Sequence, residues 1–209
     1  MYEIKNRDII LASASTSRQV MLQNANIRFT SQPAYIDEES IKHSAISEGV
    51  SLSDCATLLA EIKGQRIAIA NPKAFIIASD QLLEFGGRFI SKPESLKKAK
   101  SQLLELQGKT HRLHTSVVVF LDGARIWHHL SSPIVTLRSL SESEIDNYLH
   151  EIGESALQTP ASYQIENQGC HIIAQFSGAF YDILGLPLLP LLGFMRLHGL
   201  STVNKTIIQ

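Results

Sequence analysis

The sequence predicts an α/β protein built on a mixed sheet, and three observations carry that prediction. The run Ala74-Phe75-Ile76-Ile77-Ala78 is apolar without alternation and too short for a helix, which marks a strand covered on both faces. Apolar residues with helical spacing recur between such short runs, first over Leu52 to Ile69 and again over Leu96 to Leu106. Two hairpin signals, Gly86-Gly87 and Asp122-Gly123, add antiparallel strands.

Taken in order, Ile9 to Ala12 is a short strand, and the hydroxyl-rich turn Ser13-Ala14-Ser15-Thr16-Ser17-Arg18 leads into a helix holding Val20, Met21 and Leu22. Hydroxyls at a helix start cap its free N–H groups, while the helix dipole and Arg18 favour an anion such as phosphate. The same residues also fit ordinary N-capping beside a solvated arginine. Ile27 to Tyr35 reads as a second strand ending in Asp37, Glu38 and Glu39. That cluster either solvates a loop or helps to hold a divalent cation, with Glu38 the chosen ligand. Over Leu52 to Ile69, Ser51 or Ser53 supplies the cap, and Leu52, Cys55, Ala56, Leu59 and Ile62 form the stripe. Lys63 borders the stripe, so it either snorkels or carries its ammonium into a site.

After Ala78, Asp80 is expected at the carboxyl end of the covered strand, where open α/β sheets collect ligands. The competing reading makes Asp80 a simple turn cap. Leu82 to Phe85 and Arg88 to Ile90 form the hairpin that returns Lys92 toward Asp80. Pro93 suits a first helical turn ahead of the stripe Leu96, Ala99, Leu103 and Leu106, which Gly108 ends. Leu113 to Phe120, Arg125 to Leu130 and Ile134 to Leu140 are further strands. Ser141 and Glu144 make a capping box for a helix holding Ile145, Tyr148, Leu149 and Ile152, closed by Gly153. Strands over Ser162 to Ile165 and Cys170 to Phe176 precede a terminal helix from Leu186-Pro187 to near Gly199.

A chain of 209 residues buries a sizeable core and is read as one domain over residues 1–209, with room for two lobes. With 44% hydrophobic residues, 19% charged residues and a net charge of −1, it shows no bulk attraction for nucleic acid or membrane, so an anionic ligand must be held locally. Cys55 and Cys170 lack disulfide-framework and metal-ligand spacing and read as reduced core residues of a cytoplasmic protein. The first residues show no export signal, and Leu184 to Met195, interrupted by glycine and proline, is too short to span a bilayer. His111 and His114 point to opposite faces of their strand, as do His128 and His129, and all four read as solvent or sheet-edge residues. No GxxxxGK[ST], GxGxxG or GxSxG occurs, which argues against a P-loop, a dinucleotide fold and an α/β-hydrolase.

The segments IILASASTSR, IIASDQLLEFGGRFISKP, LLELQGKTHRLHTSVVV, ASYQIENQG and FYDILGLPLLPLL resemble, in order and spacing, the Maf family of cytoplasmic nucleoside triphosphate pyrophosphatases. The family is also called septum-formation inhibitor proteins. The similarity runs from about Ile9 to Gly199. It implies a long, bent mixed sheet flanked by helices, two lobes with a cleft between them as in inosine triphosphatase-like folds, and a homodimer as an expected state. It implies Asp80 as catalytic base, with Lys92 and Lys63 as catalytic cations. Ser13, Ser15 and Arg18 would bind substrate, and Glu38 with Asp80 would bind Mg²⁺ or Mn²⁺. Splitting a triphosphate between its α- and β-phosphates needs such cations, N–H donors, a metal and an oriented water. The implied role is house-cleaning, the removal of unwanted nucleotides before they enter nucleic acid.

Two features depart from or refine the family pattern. Where the family carries SPRR, this chain has Ser15-Thr16-Ser17-Arg18, so a proline and one arginine are missing. The family's specificity positions fall on Gln81 and Glu166, a pairing that resembles the branch acting on 7-methyl-GTP. A carboxylate there accepts from a guanine edge and complements a methylated, positively charged base. The alternative function is a nucleotide-binding regulator of septum formation with little or no turnover, suggested by the altered turn. A sugar-nucleotide or phosphate-binding α/β domain is the third reading.

Overall fold

The computed structural model describes residues 7–199, so the expectation about an export signal rests partly on residues outside the described ones. Strand β1 (Ile9–Leu11) leads to α1 (Thr16–Asn24), the two-residue β2 (Thr30–Ser31), α2 (Glu38–Ser47) and α3 (Leu52–Ala70). Strand β3 (Phe75–Phe85) turns into β4 (Arg88–Ile90), followed by α4 (Leu96–Leu106), β5 (Thr110–Leu121), β6 (Ala124–Ser131) and β7 (Ile134–Leu137). The chain closes with α5 (Glu142–Ile152), two 3-10 turns, β8 (Ile173–Ser177), the short α6 (Phe180–Ile183) and α7 (Leu188–Leu197). The strands form one mixed sheet in the order β2-β1-β3-β5-β7-β8, with β4 on β3 and β6 on β5. The α/β class is as the sequence predicts.

The chain divides into two units, one made of residues up to 80, 115–130 and from 185 onward, the other of 81–114 and 131–184. In the first unit β1 pairs in parallel with β3, Ile9 with Phe75 through Leu11 with Ile77. The β3 face carrying Ile76 and Ala78 packs with Ala60, Ile67 and Ala68 of α3, and Val118 and Phe120 join them. Helix α3 approaches so closely because residue 64 is glycine: a Cβ there would lie 2.7 Å from the Phe120 ring. The opposite face meets α7, with Phe75 stacked on Phe194 at 6.4 Å. In the second unit, Ala99, Leu103 and Leu106 of α4 and Ile145 and Leu149 of α5 bury against Leu83, Leu113, Val135 and Leu137. Among the described residues no helix is long and apolar enough to cross a membrane.

Several elements differ from expectation. Strand β3 does not stop before Asp80 but continues through it to Phe85. Only Thr30 and Ser31 of the expected 27–35 strand pair with β1. Asp37 and its neighbours start a helix, with the Asp37 carboxylate accepting from Ser40 N at 3.1 Å. Pro93 precedes α4 instead of opening it, because Ser95 is the N-cap. Ser162 to Ile165 is not a strand: Ser162 has φ +54° and the Thr159 hydroxyl bonds both the N–H and the carbonyl of Tyr163. Cys170 is exposed rather than core. His111 and His114 are buried: His111 lies on the covered face where β5 still alternates with exposed Thr110 and Arg112, and His114 lies where β5 is covered on both faces from Leu113 onward.

Candidate active site

Residue parity along β3 decides what Asp80 meets. Side chains alternate across a strand, so Asp80 shares the α3-covered face with Ile76 and Ala78, while Ser79 faces the other way with Phe75 and Ile77. On α3 the buried stripe Cys55, Leu59, Lys63 and Ile67 recurs every four residues, which places Lys63 on the face turned toward the sheet. Its ammonium lies 2.5 Å from Asp80 Oδ1 and 2.8 Å from Glu38 Oε1. Lys63 and Asp80 are 7% and 5% exposed, and the Glu38 side chain reaches them from the first turn of α2. Two carboxylates from separate elements thus converge on one cation.

Arg18 belongs to the same unit. Ser15 caps α1 by accepting from Arg18 N at 3.4 Å, and Ser13 Oγ accepts from Ser15 N at 3.1 Å and from Arg18 Nη1 at 3.2 Å. Arg18 Nε donates to the Gly185 carbonyl at 2.7 Å. Burial pulls the guanidinium below its ordinary range, and the charges of Asp80 and then Glu38 pull it back up. Burial, and next the Asp80 charge, push the Cys55 thiol up, which leaves that fully buried group an inert neighbour.

The remaining candidates fall in the second unit. Gln81 Nε2 donates to the carbonyls of Asp182 and Ile183 at 2.9 and 3.1 Å. Lys92 is exposed beyond β4, whose hairpin pairs Leu83 with Ile90 and turns at Gly86 and Gly87, both with positive φ. Glu166 is exposed on the segment 163–169, which folds on itself because a Cβ at Gly169 would strike the Gln164 backbone at 2.5 Å. The structure therefore gathers Ser13, Ser15, Arg18, Glu38, Lys63 and Asp80 in the first unit, and Gln81, Lys92 and Glu166 in the second. Sequence reasoning missed Gly185, whose carbonyl accepts from Arg18, and Ser79, whose hydroxyl lies against that carbonyl; only the glycine in Gly185-Leu186-Pro187 offered a signal.

The family model described as Maf-like protein matches residues 8–198. The chain belongs to the Maf family. It is 43% identical to a Rhodospirillum rubrum protein named nucleoside triphosphate pyrophosphatase, over 91% of this chain and 95% of that protein. A Granulibacter bethesdensis protein of the same name is 42% identical over 93% of this chain and 99% of its own length. A Rhizobium etli protein named 7-methyl-GTP pyrophosphatase is 36% identical over 94% of this chain and 98% of its own. The residues matched by the Maf model include Thr16, Ser17, Asp80 and Lys92.

Proposed function

We propose that this Maf protein is a nucleoside triphosphate pyrophosphatase that hydrolyses NTPs, modified ones such as 7-methyl-GTP included, to NMP and diphosphate. The names of the relatives support the reaction class. The observation that carries it to this chain is the Lys63 ammonium held between Glu38 and Asp80 in the unit that also buries Arg18. In the proposed reaction Arg18, Lys63 and Lys92 offset phosphate charge, the Ser13–Ser15 turn orients the polyphosphate, and Asp80 takes the proton of the attacking water. Gln81 and Glu166 select the base. One domain spanning the chain carries the activity, in the cytoplasm and as a homodimer.

Glu38 and Asp80 also fit a divalent cation. Both are hard oxygen donors that converge on the Lys63 ammonium, beside which a cation would have to bind, and among the described residues no group of three or more His, Cys, Asp or Glu could hold a metal ion by itself. A two-carboxylate set completed by substrate oxygens and water suits Mg²⁺ or Mn²⁺. Bound there, the cation would offset phosphate charge and acidify the attacking water. Purified protein incubated with a panel of NTPs, including 7-methyl-GTP, dTTP and UTP, tests the reading through diphosphate release with and without Mg²⁺ or Mn²⁺. Nucleotide binding without release would instead establish the regulator.

A further inference from the structure

We infer that Gly185 and Ser79 are positioning residues for Arg18, acting through a single carbonyl oxygen; this deepens the reading of Arg18 as a phosphate-binding group and rests on it. The Gly185 oxygen accepts from Arg18 Nε at 2.7 Å and lies 2.8 Å from Ser79 Oγ, whose one hydrogen it shares with the Ser116 carbonyl. The Ser116 carbonyl of β5, at 2.7 Å, is the other acceptor for that single hydrogen, so the hydroxyl sits between the two carbonyls. Ser79 is fully buried and directly precedes Asp80. A short rigid path therefore runs from the Arg18 guanidinium through the Gly185 carbonyl and the Ser79 hydroxyl to the backbone that bears the Asp80 carboxylate.

That path decides where the arginine can point. A guanidinium has five N–H groups in one plane; here one is spent on Gly185 and one on Ser13, from different edges of the fork. Two bonds from different edges fix the plane as well as the position, and the other three N–H groups, which make no hydrogen bond among the described residues, face the proposed anion. Such preorganisation matters because a donor misplaced before substrate arrives must be reordered at the expense of binding. Glycine is favoured at the anchor because its φ of +97° is one that residues with a side chain rarely adopt; a Cβ there would only make ordinary van der Waals contact with Nη2 and Nε of Arg18, at 3.4 and 3.5 Å. Ser79 and Gly185 also lie next to two of the four points, after Asp80 and before Gly185, where the chain passes from one unit to the other.

A double-mutant cycle in steady-state kinetics tests this with Mg²⁺ and the NTP that the wild-type protein hydrolyses best. In the wild-type background Gly185→Ala should raise KM about tenfold and Ser79→Ala about threefold, with kcat within about twofold. In an Arg18→Ala background neither substitution should raise KM further. Equal effects in both backgrounds, or a fall in kcat with KM unchanged, would overturn the assignment. Should Gly185→Ala fail to fold, Ser79→Ala alone decides, checked against its thermal unfolding. If Arg18→Ala leaves KM unchanged, the phosphate-binding role of Arg18 falls and this inference falls with it; if Arg18→Ala raises KM but the anchor variants do not, only the inference falls.

Discussion

The Lys63 ammonium stands 2.5 Å from the Asp80 carboxylate, and both side chains are more than nine-tenths buried. Charges that deep are tolerated because each neutralises the other, with Glu38 as a further partner at the solvent side. Removing one partner leaves the other stranded. Lys63→Met should therefore cost about 3 to 5 kcal/mol in urea unfolding, beyond any effect on catalysis. Adding Asp80→Asn should recover part of that loss, and strictly additive losses would show that the two groups do not couple.

Gly64→Ala offers a separate check on how Lys63 is placed. Alanine is favoured over glycine in a helix by about 1 kcal/mol. Against this, its Cβ would lie 2.7 and 2.8 Å from two atoms of the buried Phe120 ring, and such overpacking costs about 1 to 3 kcal/mol. The clash should win. Reduced stability together with slower diphosphate release is expected, because α3 moves away from β3 and takes Lys63 with it. A variant more stable than wild type would contradict the close approach of this helix.

Acid should destabilise the protein partly through His111. The imidazole is 2% exposed, bonds Tyr163 at 2.7 Å through Nε2, and its Nδ1 finds no hydrogen-bond partner among the described residues. Burial lowers its pKa from 6.5 to about 4. Between those values the unfolded chain takes up a proton that the folded one refuses, so the stabilisation is complete above about pH 6.5 and is lost as pH falls toward 4. The shift corresponds to about 3 kcal/mol. Urea unfolding at a series of pH values should show a shallower acid limb for His111→Gln than for wild type, and parallel limbs would refute the assignment.

The metal role proposed for Glu38 has its own signature. Glu38→Gln should raise the Mg²⁺ concentration for half-maximal diphosphate release about tenfold while leaving nucleotide binding in chelator unchanged. Chelator alone should stop release, and added Mg²⁺ should restore it. A variant with the wild-type Mg²⁺ dependence would remove Glu38 from the metal set.

Local rules made much of the fold readable. The Gly86-Gly87 and Asp122-Gly123 turns take the positive φ values that a tight hairpin needs, and Ser141 with Glu144 forms the complete capping box. Features decided by distant partners were not readable. Ser79, Asp80 and Gln81 look like the end of a strand, yet β3 continues because each finds a tertiary partner: the Ser116 and Gly185 carbonyls, Lys63, and the carbonyls of Asp182 and Ile183. Tyr163 and Ile165 mimic strand alternation while a threonine side chain holds them in a turn. Lys63 shows the same limit within the site: the spacing with Cys55, Leu59 and Ile67 puts it on the buried face, but its carboxylate partners Asp80 and Glu38 come from distant elements.

The most direct test is the rate of diphosphate release from an NTP with Mg²⁺, wild type against Asp80→Asn, both shown to be folded. The wild-type protein should give NMP and diphosphate, and the variant a rate at least about 100-fold lower. Equal rates from the two proteins, or no release by the wild type from any nucleotide of the panel, would contradict the role of Asp80 as the base of a pyrophosphatase.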